Sequence, residues 1–302
     1  MDLPFHTLDV FTDRTFGGNG LGVFPDAAHL PTDLMQRIAR EMNLSETVFL
    51  GPPESGGTAR VRIFTPGVEV PFAGHPTVGT ALYLASRMDD PPAEGTVELA
   101  LEENVGPVPV EVRFQDGRPV FARFTTAIPA EHRPSPWSPG DLAGMVGLDG
   151  RDVAADLPVE MVSCGLPYHI VPIRNADRVA DAVLDMADWN RMLADSWAHH
   201  VYLVALDGCR SGVDAHVRMF APGSGVPEDP ATGSAAAALG GYLARADGRA
   251  DGRLAWTVSQ GSEIGRPSHI EVEVDRAGGR TTAIRVGGAA VFVVSGTMTV
   301  PG

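Results

Sequence analysis

Apolar and polar residues alternate through Val108-Val110-Val112 and again through Ile270-Val272-Val274, the period of two that marks half-buried strands. Asp116-Gly117 and Gly278-Gly279 are the turn signals that separate such strands. The apolar runs Thr47-Val48-Phe49-Leu50 and Val201-Tyr202-Leu203-Val204 predict two more strands. Leu34 to Arg40 changes to a helical pattern, with Thr32 or Asp33 as its cap, and Trp189 to Leu193 is its counterpart further on. Trp189 and Trp197 are expected to pack a helix. Each half of the chain thus reads as strand, helix, strand, strand, central helix and strands, in that approximate order.

The halves are related by a repeat. Val61-Arg62-Ile63-Phe64-Thr65-Pro66-Gly67 returns as Val217-Arg218-Met219-Phe220-Ala221-Pro222-Gly223, matching at Val, Arg, Phe, Pro and Gly after 156 residues. Each copy leads into a Pro-containing turn and an Ala/Leu-rich helix, through Gly74-His75-Pro76-Thr77 in the first and Asp229-Pro230-Ala231-Thr232-Gly233-Ser234 in the second. Aligned upstream of the motif, Glu46 corresponds to His199, 153 residues later. Proline at the first helical position loses nothing, because its missing N–H would be unpaired there, and the residue before it is the natural cap. On that reading His75 and Asp229 occupy equivalent helix starts, Asp229 as a cap. Free N–H groups and partial positive charge make each start a place for an anion. Two such ends facing one cleft would clamp a carboxylate and stabilise an enolate-like charge. Taken singly, Asp229 also reads as a plain cap and His75 as a turn residue.

Composition narrows the class. The 302 residues, 44% of them hydrophobic, are ample for two domains, each with its own core, and the mean hydropathy is near zero. No apolar run approaches the roughly 18 residues of a membrane-spanning helix, and the N-terminus lacks a signal-peptide pattern, so a cytoplasmic protein with no membrane partner is expected. A net charge of −15 argues against nucleic acid, whose phosphates need basic patches. All 23 basic residues are arginine; without lysine there is neither a Schiff base nor a Walker A loop. Gly17-Gly18-Asn19-Gly20-Leu21-Gly22 is only superficially like a dinucleotide loop, since it leads into Val23-Phe24-Pro25 rather than a helix. Cys164 and Cys209 show neither disulfide nor zinc spacing. His199-His200 is unsuited to metal, because adjacent strand residues point to opposite faces. No metal is expected.

Phe16-Gly17-Gly18-Asn19, Asn43-Leu44-Ser45-Glu46-Thr47, Phe64-Thr65-Pro66, Gly74-His75-Pro76-Thr77, Asp229 to Ser234, and Gln260-Gly261 with Gly265-Arg266-Pro267-Ser268 together resemble the PhzF-like family of phenazine biosynthesis, in the family's order and over nearly the whole chain. The resemblance implies the diaminopimelate-epimerase fold, an α+β architecture of two similar domains, each a curved, barrel-like sheet around a central helix, with the active site in the cleft. The implied domains are 1–127 with the returning C-terminal stretch 289–302, and 128–288; the last strand, Ala289 to Val300, would cross back to the first. Homodimers are common in the family.

The resemblance also implies an isomerase that moves a proton without metal or organic cofactor. In its best-understood members the substrate is trans-2,3-dihydro-3-hydroxyanthranilate, and a glutamate matched here by Glu46 takes the proton from C3 and returns it at C1. Between Leu44 and Val48, Glu46 would be partly desolvated, which favours acid/base work near neutrality. His75 and Asp229 match polar residues that orient the substrate. Ser234 and the backbone around Gly74, Gly233 and Ser234 would hold its carboxylate, and Asn19 would close the cleft. An unshifted His75 would give the activity a limb at roughly pH 6 to 7. The chain departs from the family at Gly20-Leu21-Gly22, where Asn-Pro and a small apolar pair are usual; the glycines predict a more flexible segment and put the substrate in question. The racemases of this fold use two cysteines at the helix starts, where this chain has none. The alternative from another class is a non-catalytic carboxylate-binding or scaffold protein on the same fold.

Overall fold

A computed structural model describes residues 1–301. The chain forms two units, one of Met1–Thr125 with the C-terminal stretch from Gly287, the other of Thr126–Val286.

In the first unit the ladder runs through Ala290–Thr299, Asp2–Val10, Asn19–Phe24, Glu46–Gly51, Ala59–Phe64, Gly95–Glu103, Gly106–Gln115 and Arg118–Thr125. Neighbours are antiparallel except where Asn19–Phe24 meets Glu46–Gly51 and where Ala59–Phe64 meets Gly95–Glu103. Helix Gly74–Ala85 touches strands from both ends of this ladder and from its middle, so the sheet curls around it. Every residue of that helix except Leu84 is buried; a helix with no polar face is stable only when covered all round. Gly79 sets how closely it packs, since a Cβ there would lie 2.5 Å from Leu21 Cδ2 and 2.7 Å from Val10 Cγ2. Helix Thr32–Met42 buries Leu34, Met35, Ile38 and Ala39 against Phe24, Phe49 and Phe64. Neither Thr32 nor Asp33 caps it. The extended Pro31 precedes it and receives the N–H groups of Leu34 and Met35, while the Thr32 hydroxyl accepts from Arg62.

The second unit repeats the plan. Its ladder runs through Glu131–Pro134, Glu160–Ser163, Pro167–Pro172, His200–Ala205, Ala215–Ala221, Gly252–Gln260 and Ser268–Ala277, with parallel pairs at the two corresponding places. Helix Gly233–Asp247 is buried along most of its length and packs on Ser268–Ala277, where a Cβ at Gly240 would lie 2.6 Å from Val272 Cγ1. Trp189, in helix Met186–Met192, is buried and donates its indole N–H to the His199 carbonyl. Trp197 is half-buried, and the Arg133 guanidinium lies over its ring at 3.9 Å. In both expected turns the residues are left-handed, Asp116 and Gly117 at φ 50 and 72°, Gly278 and Gly279 at 57 and 77°, which matches tight hairpin reversals.

The repeated motif has a physical basis. Arg62 makes a two-pronged bond to Glu69 at 2.8 and 2.7 Å and lies over Phe64. Arg218 does the same with Glu228 at 2.8 and 2.7 Å and lies over Phe220. The registers also repeat: Thr47 pairs with Phe64 as Val201 pairs with Phe220, and Ala59 with Leu101 as Ala215 with Val258. Leu21 pairs with Glu46 as Tyr168 pairs with His200. The counterpart of Glu46 is therefore His200, one residue beyond the His199 given by the sequence alignment. In a strand that single step turns the side chain to the other face. Among the described residues no helix is long and apolar enough to cross a membrane.

Candidate active site

The expected site residues fall into two sets, one in each unit. In the first, Glu46 opens strand Glu46–Gly51 and is half-buried; its Oε2 lies 3.4 Å from Nδ1 of His75. His75 is the second residue of helix Gly74–Ala85 and Pro76 the third, a position whose N–H is also unpaired in a helix, so the proline costs no bond. A carboxylate this close favours an imidazolium, but the His75 side chain is only 4% exposed. Burial wins, lowering the imidazole to about 3 against a hydrogen bond to the Gly20 backbone. His75 is thus neutral at ordinary pH, and its contact with Glu46 is polar rather than an ion pair. The limb expected at pH 6 to 7 belongs to an unshifted imidazole, which this is not.

Asn19 is buried at the start of strand Asn19–Phe24, opposite Val10. The segment Gly20-Leu21-Gly22 is not flexible. It is paired on one side with Thr7 to Asp9 and on the other with Glu46 and Thr47, and a Cβ at Gly22 would lie 3.1 Å from Thr47 Oγ1.

In the second unit, Asp229 ends strand Val226–Asp229, and the helix begins only after Thr232. Asp229 is therefore not the helix cap, and Pro230 lies outside the helix. The residue matching His75 in helical position is Ser234, the second of helix Gly233–Asp247. Asp229 instead accepts from the Thr232 hydroxyl at 2.5 Å. Gln260 donates to the Asp229 carbonyl at 2.7 Å and to Thr232 Oγ1 at 3.0 Å, and accepts the Thr232 N–H at 3.2 Å. The Ser268 hydroxyl is 2.7 Å from the Pro230 carbonyl, and Gly261, at φ 79°, passes where a Cβ would lie 2.5 Å from that oxygen. Gln260-Gly261 and Ser268, motif residues with no role assigned from sequence, are the brace of the Asp229 to Thr232 segment.

The Ser234 hydroxyl lies 2.6 Å from that of Tyr168. Beside Tyr168 stands His200, with ring centres 5.6 Å apart; burial, aided by His199, lowers its imidazole to about 3. Neither Ala73 nor Thr232 caps its helix with its own side chain, although Gln260 accepts the Thr232 N–H, and each start keeps the partial positive charge of a helix N-terminus. Burial pushes the Cys164 thiol up to about 12, which keeps it from serving as a thiolate base. Among the described residues no group of three His, Cys, Asp or Glu is placed to hold a metal.

Residues 8–296 match the family model of the phenazine biosynthesis-like proteins, PhzC-PhzF. The chain belongs to this family. An uncharacterized isomerase of Mesorhizobium japonicum is 40% identical, over 96% of either chain. The trans-2,3-dihydro-3-hydroxyanthranilate isomerase of Pseudomonas aeruginosa is 36% identical, over 93% of this chain and 94% of its own. The crystal structure of a PhzF-family phenazine biosynthesis protein from Bacillus anthracis is similar with a TM-score of 0.89 at 27% identity, over 99% of this chain and 100% of that one. This PhzF-family protein is an isomerase, and its α+β architecture is diaminopimelate-epimerase-like.

Sequence reasoning gave no role to Tyr168, His200, Thr232 and Gln260, which the structure places beside Ser234 and Asp229. His200 had a usable signal, since aligning the repeats on strand starts gives it directly. Tyr168 had none, because it reaches Ser234 from a strand 66 residues away.

Proposed function

We propose that this PhzF-family isomerase moves a proton within a small cyclic or unsaturated carboxylate, with Glu46 as acid/base and trans-2,3-dihydro-3-hydroxyanthranilate as the first substrate to test. The observation that carries this reading is the contact of Glu46 with a buried, neutral His75. An imidazolium at that distance would hold Glu46 ionised and weaken it as a base. A neutral imidazole leaves the carboxyl able to take a proton from one carbon and return it to another. Anion binding is assigned to the backbone N–H groups at the helix starts, at Gly74 in the first unit and at Gly233 and Ser234 in the second, with the Ser234 hydroxyl, and charge released into a carboxylate on deprotonation is stabilised by such donors. Asp229, Asn19 and His75 orient the polar substituents. The scheme uses no cofactor. We place the protein in the cytoplasm, the compartment suited to its two free thiols, as a homodimer.

The test is exchange in deuterated water. The wild-type protein should wash deuterium into the substrate, whereas Glu46→Gln should still bind it, melt normally and lose on the order of 10² to 10⁴-fold in turnover. Near-normal turnover in the Gln variant would sink the assignment. A melting shift without any exchange in the wild type would favour a binding protein.

A further inference from the structure

The helix that carries Gly74 and His75 begins at Ala73, which offers no side-chain cap. Its first turn is closed by Thr77. The Thr77 N–H reaches the Ala73 carbonyl at a long 3.3 Å. The Thr77 hydroxyl lies 2.8 Å from that same carbonyl and 2.6 Å from Glu103 Oε1. Thr77 and Glu103 are both buried, and Glu103 Oε2 has no hydrogen-bond partner.

A hydroxyl carries one proton. Were Glu103 a carboxylate, Thr77 would have to choose. Donating to Glu103 abandons the carbonyl to its long amide bond; donating to the carbonyl sets hydroxyl lone pairs against an anion. A neutral carboxylic acid removes the conflict. Its O–H donates to Thr77 Oγ1, Thr77 donates to Ala73, and both separations are normal for O–H···O bonds. The unpartnered Oε2 is then a neutral carbonyl oxygen, which costs far less in a buried site than a share of an anion.

The surroundings agree. Across the strand pair, Glu103 lies opposite Gly106. On its own strand, Glu102 is tied to the N–H groups of Glu54, Ser55 and Gly57. From the neighbouring strand comes Arg60, committed to the Val61 and Glu102 carbonyls and the Asn104 side chain. The helix contributes Thr77 and, two residues earlier, the neutral His75. Burial raises the Glu103 carboxyl to about 8, although the bond to Thr77 and the charge of Arg60 both lower it.

We infer that Glu103 is a positioning residue for the isomerisation, a neutral carboxylic acid whose relay through Thr77 to the Ala73 carbonyl fixes the turn presenting Gly74 and His75. The relay is a feature of the first unit alone; its bearing on turnover rests on the proposed role of that turn.

Glu103→Gln tests it, because the amide N–H can donate to Thr77 as the acid does but cannot ionise. Measured over a pH series with the substrate named above, wild-type kcat should fall on an alkaline limb near pH 8, the value of the Glu103 carboxyl. The Gln variant should keep its neutral-pH turnover and lack the limb. Thr77→Val should lose on the order of 10 to 10²-fold in kcat, as expected for a displaced catalytic turn, while Thr77→Ser should restore it. Infrared spectra at neutral pH should show a protonated carboxyl band in the wild type that is missing from the Gln variant and present in Thr77→Ser. An unchanged alkaline limb in Glu103→Gln, or a band that survives the substitution, would overturn the inference. The infrared readout needs no turnover, so it separates this inference from the acid/base role of Glu46. Should Glu103→Gln fail to fold, the loss of the band across the alkaline limb in the wild type and in Thr77→Ser decides the matter, and its persistence above that limb counts against a titrating Glu103.

Discussion

Replacing His75 with Asn should flatten the acid side of the stability profile. A fall of the imidazole from 6.5 to about 3 corresponds to about 5 kcal/mol between its protonation states at about 1.4 kcal/mol per pH unit. His200 falls as far. In the unfolded chain both histidines take up a proton near pH 6.5, while in the fold they stay neutral to about pH 3. Their contribution is fully present above 6.5 and is lost as pH falls toward 3, each at about 1.4 kcal/mol per pH unit. Glu103 acts oppositely: raised from 4.5 to about 8, it contributes most below 4.5, and that contribution is lost as pH rises to about 8. Over the shared window the three groups leave a net uptake of about one proton on unfolding, or about 1.4 kcal/mol per pH unit, a large slope against a total stability of about 5–15 kcal/mol. Urea unfolding of the wild type and of His75→Asn, between about pH 4 and pH 6, measures the difference. The variant's slope should be lower by about 1.4 kcal/mol per pH unit, whatever its stability at neutral pH. Parallel slopes, or a magnetic-resonance titration of the His75 ring with a midpoint near its ordinary 6.5, would refute the reasoning.

Asp229→Ala removes the buried acceptor of the Thr232 hydroxyl and should cost about 1.5–3 kcal/mol in melting experiments, the range for a bond to a charged group; a loss of a few tenths would show that Gln260 braces the segment alone. Tyr168→Phe deletes the hydroxyl 2.6 Å from Ser234 and should raise KM with little change in kcat, consistent with about 0.5–1.5 kcal/mol for one bond; a kcat effect without a KM effect would contradict a binding role for Ser234. Gly79→Ala should destabilise by about 1–3 kcal/mol through overpacking against Leu21 and Val10, more than the roughly 1 kcal/mol that alanine gains in helix propensity; a melting temperature equal to or above wild type would count against the close packing.

The repeat Val-Arg-x-Phe-x-Pro-Gly was legible because its residues act locally, with an inward Val, an Arg bridging to a Glu and lying over a Phe, and a Pro-Gly turn. The alternating strands and their left-handed turns were legible for the same reason, as their signals lie within a few residues. The helix starts were misread where proline was taken to mark the first helical position. Pro76 is the third helical residue and Pro230 is outside the helix, because an unpaired N–H is available to proline throughout a first turn and not at its first residue alone. The glycines of Gly20-Leu21-Gly22 suggested flexibility because sequence cannot show that strands pair on both sides of them. The depressed imidazole of His75 was equally hidden, since its burial depends on Val10, Leu21 and Gly79 bringing helix and sheet together.

The one-residue correction that pairs Glu46 with His200 changes the comparison of the halves. At matched strand starts stand Glu46 and His200, and at matched second helical positions His75 and Ser234. In the first unit the two touch directly at 3.4 Å. In the second, Tyr168 occupies the place of Leu21 and brings its hydroxyl to Ser234. Neither buried histidine gains a proton above about pH 3, so neither is suited to exchange one near neutrality, where an acid/base group must change state. Of these matched positions, that leaves the Glu46 carboxyl as the proposed acid/base and the Tyr168–Ser234 hydroxyl pair as the proposed binding group. Matched positions of a duplicated scaffold can thus diverge, and the Glu46→Gln and Tyr168→Phe measurements test the two proposed roles separately, as kcat in one case and KM in the other.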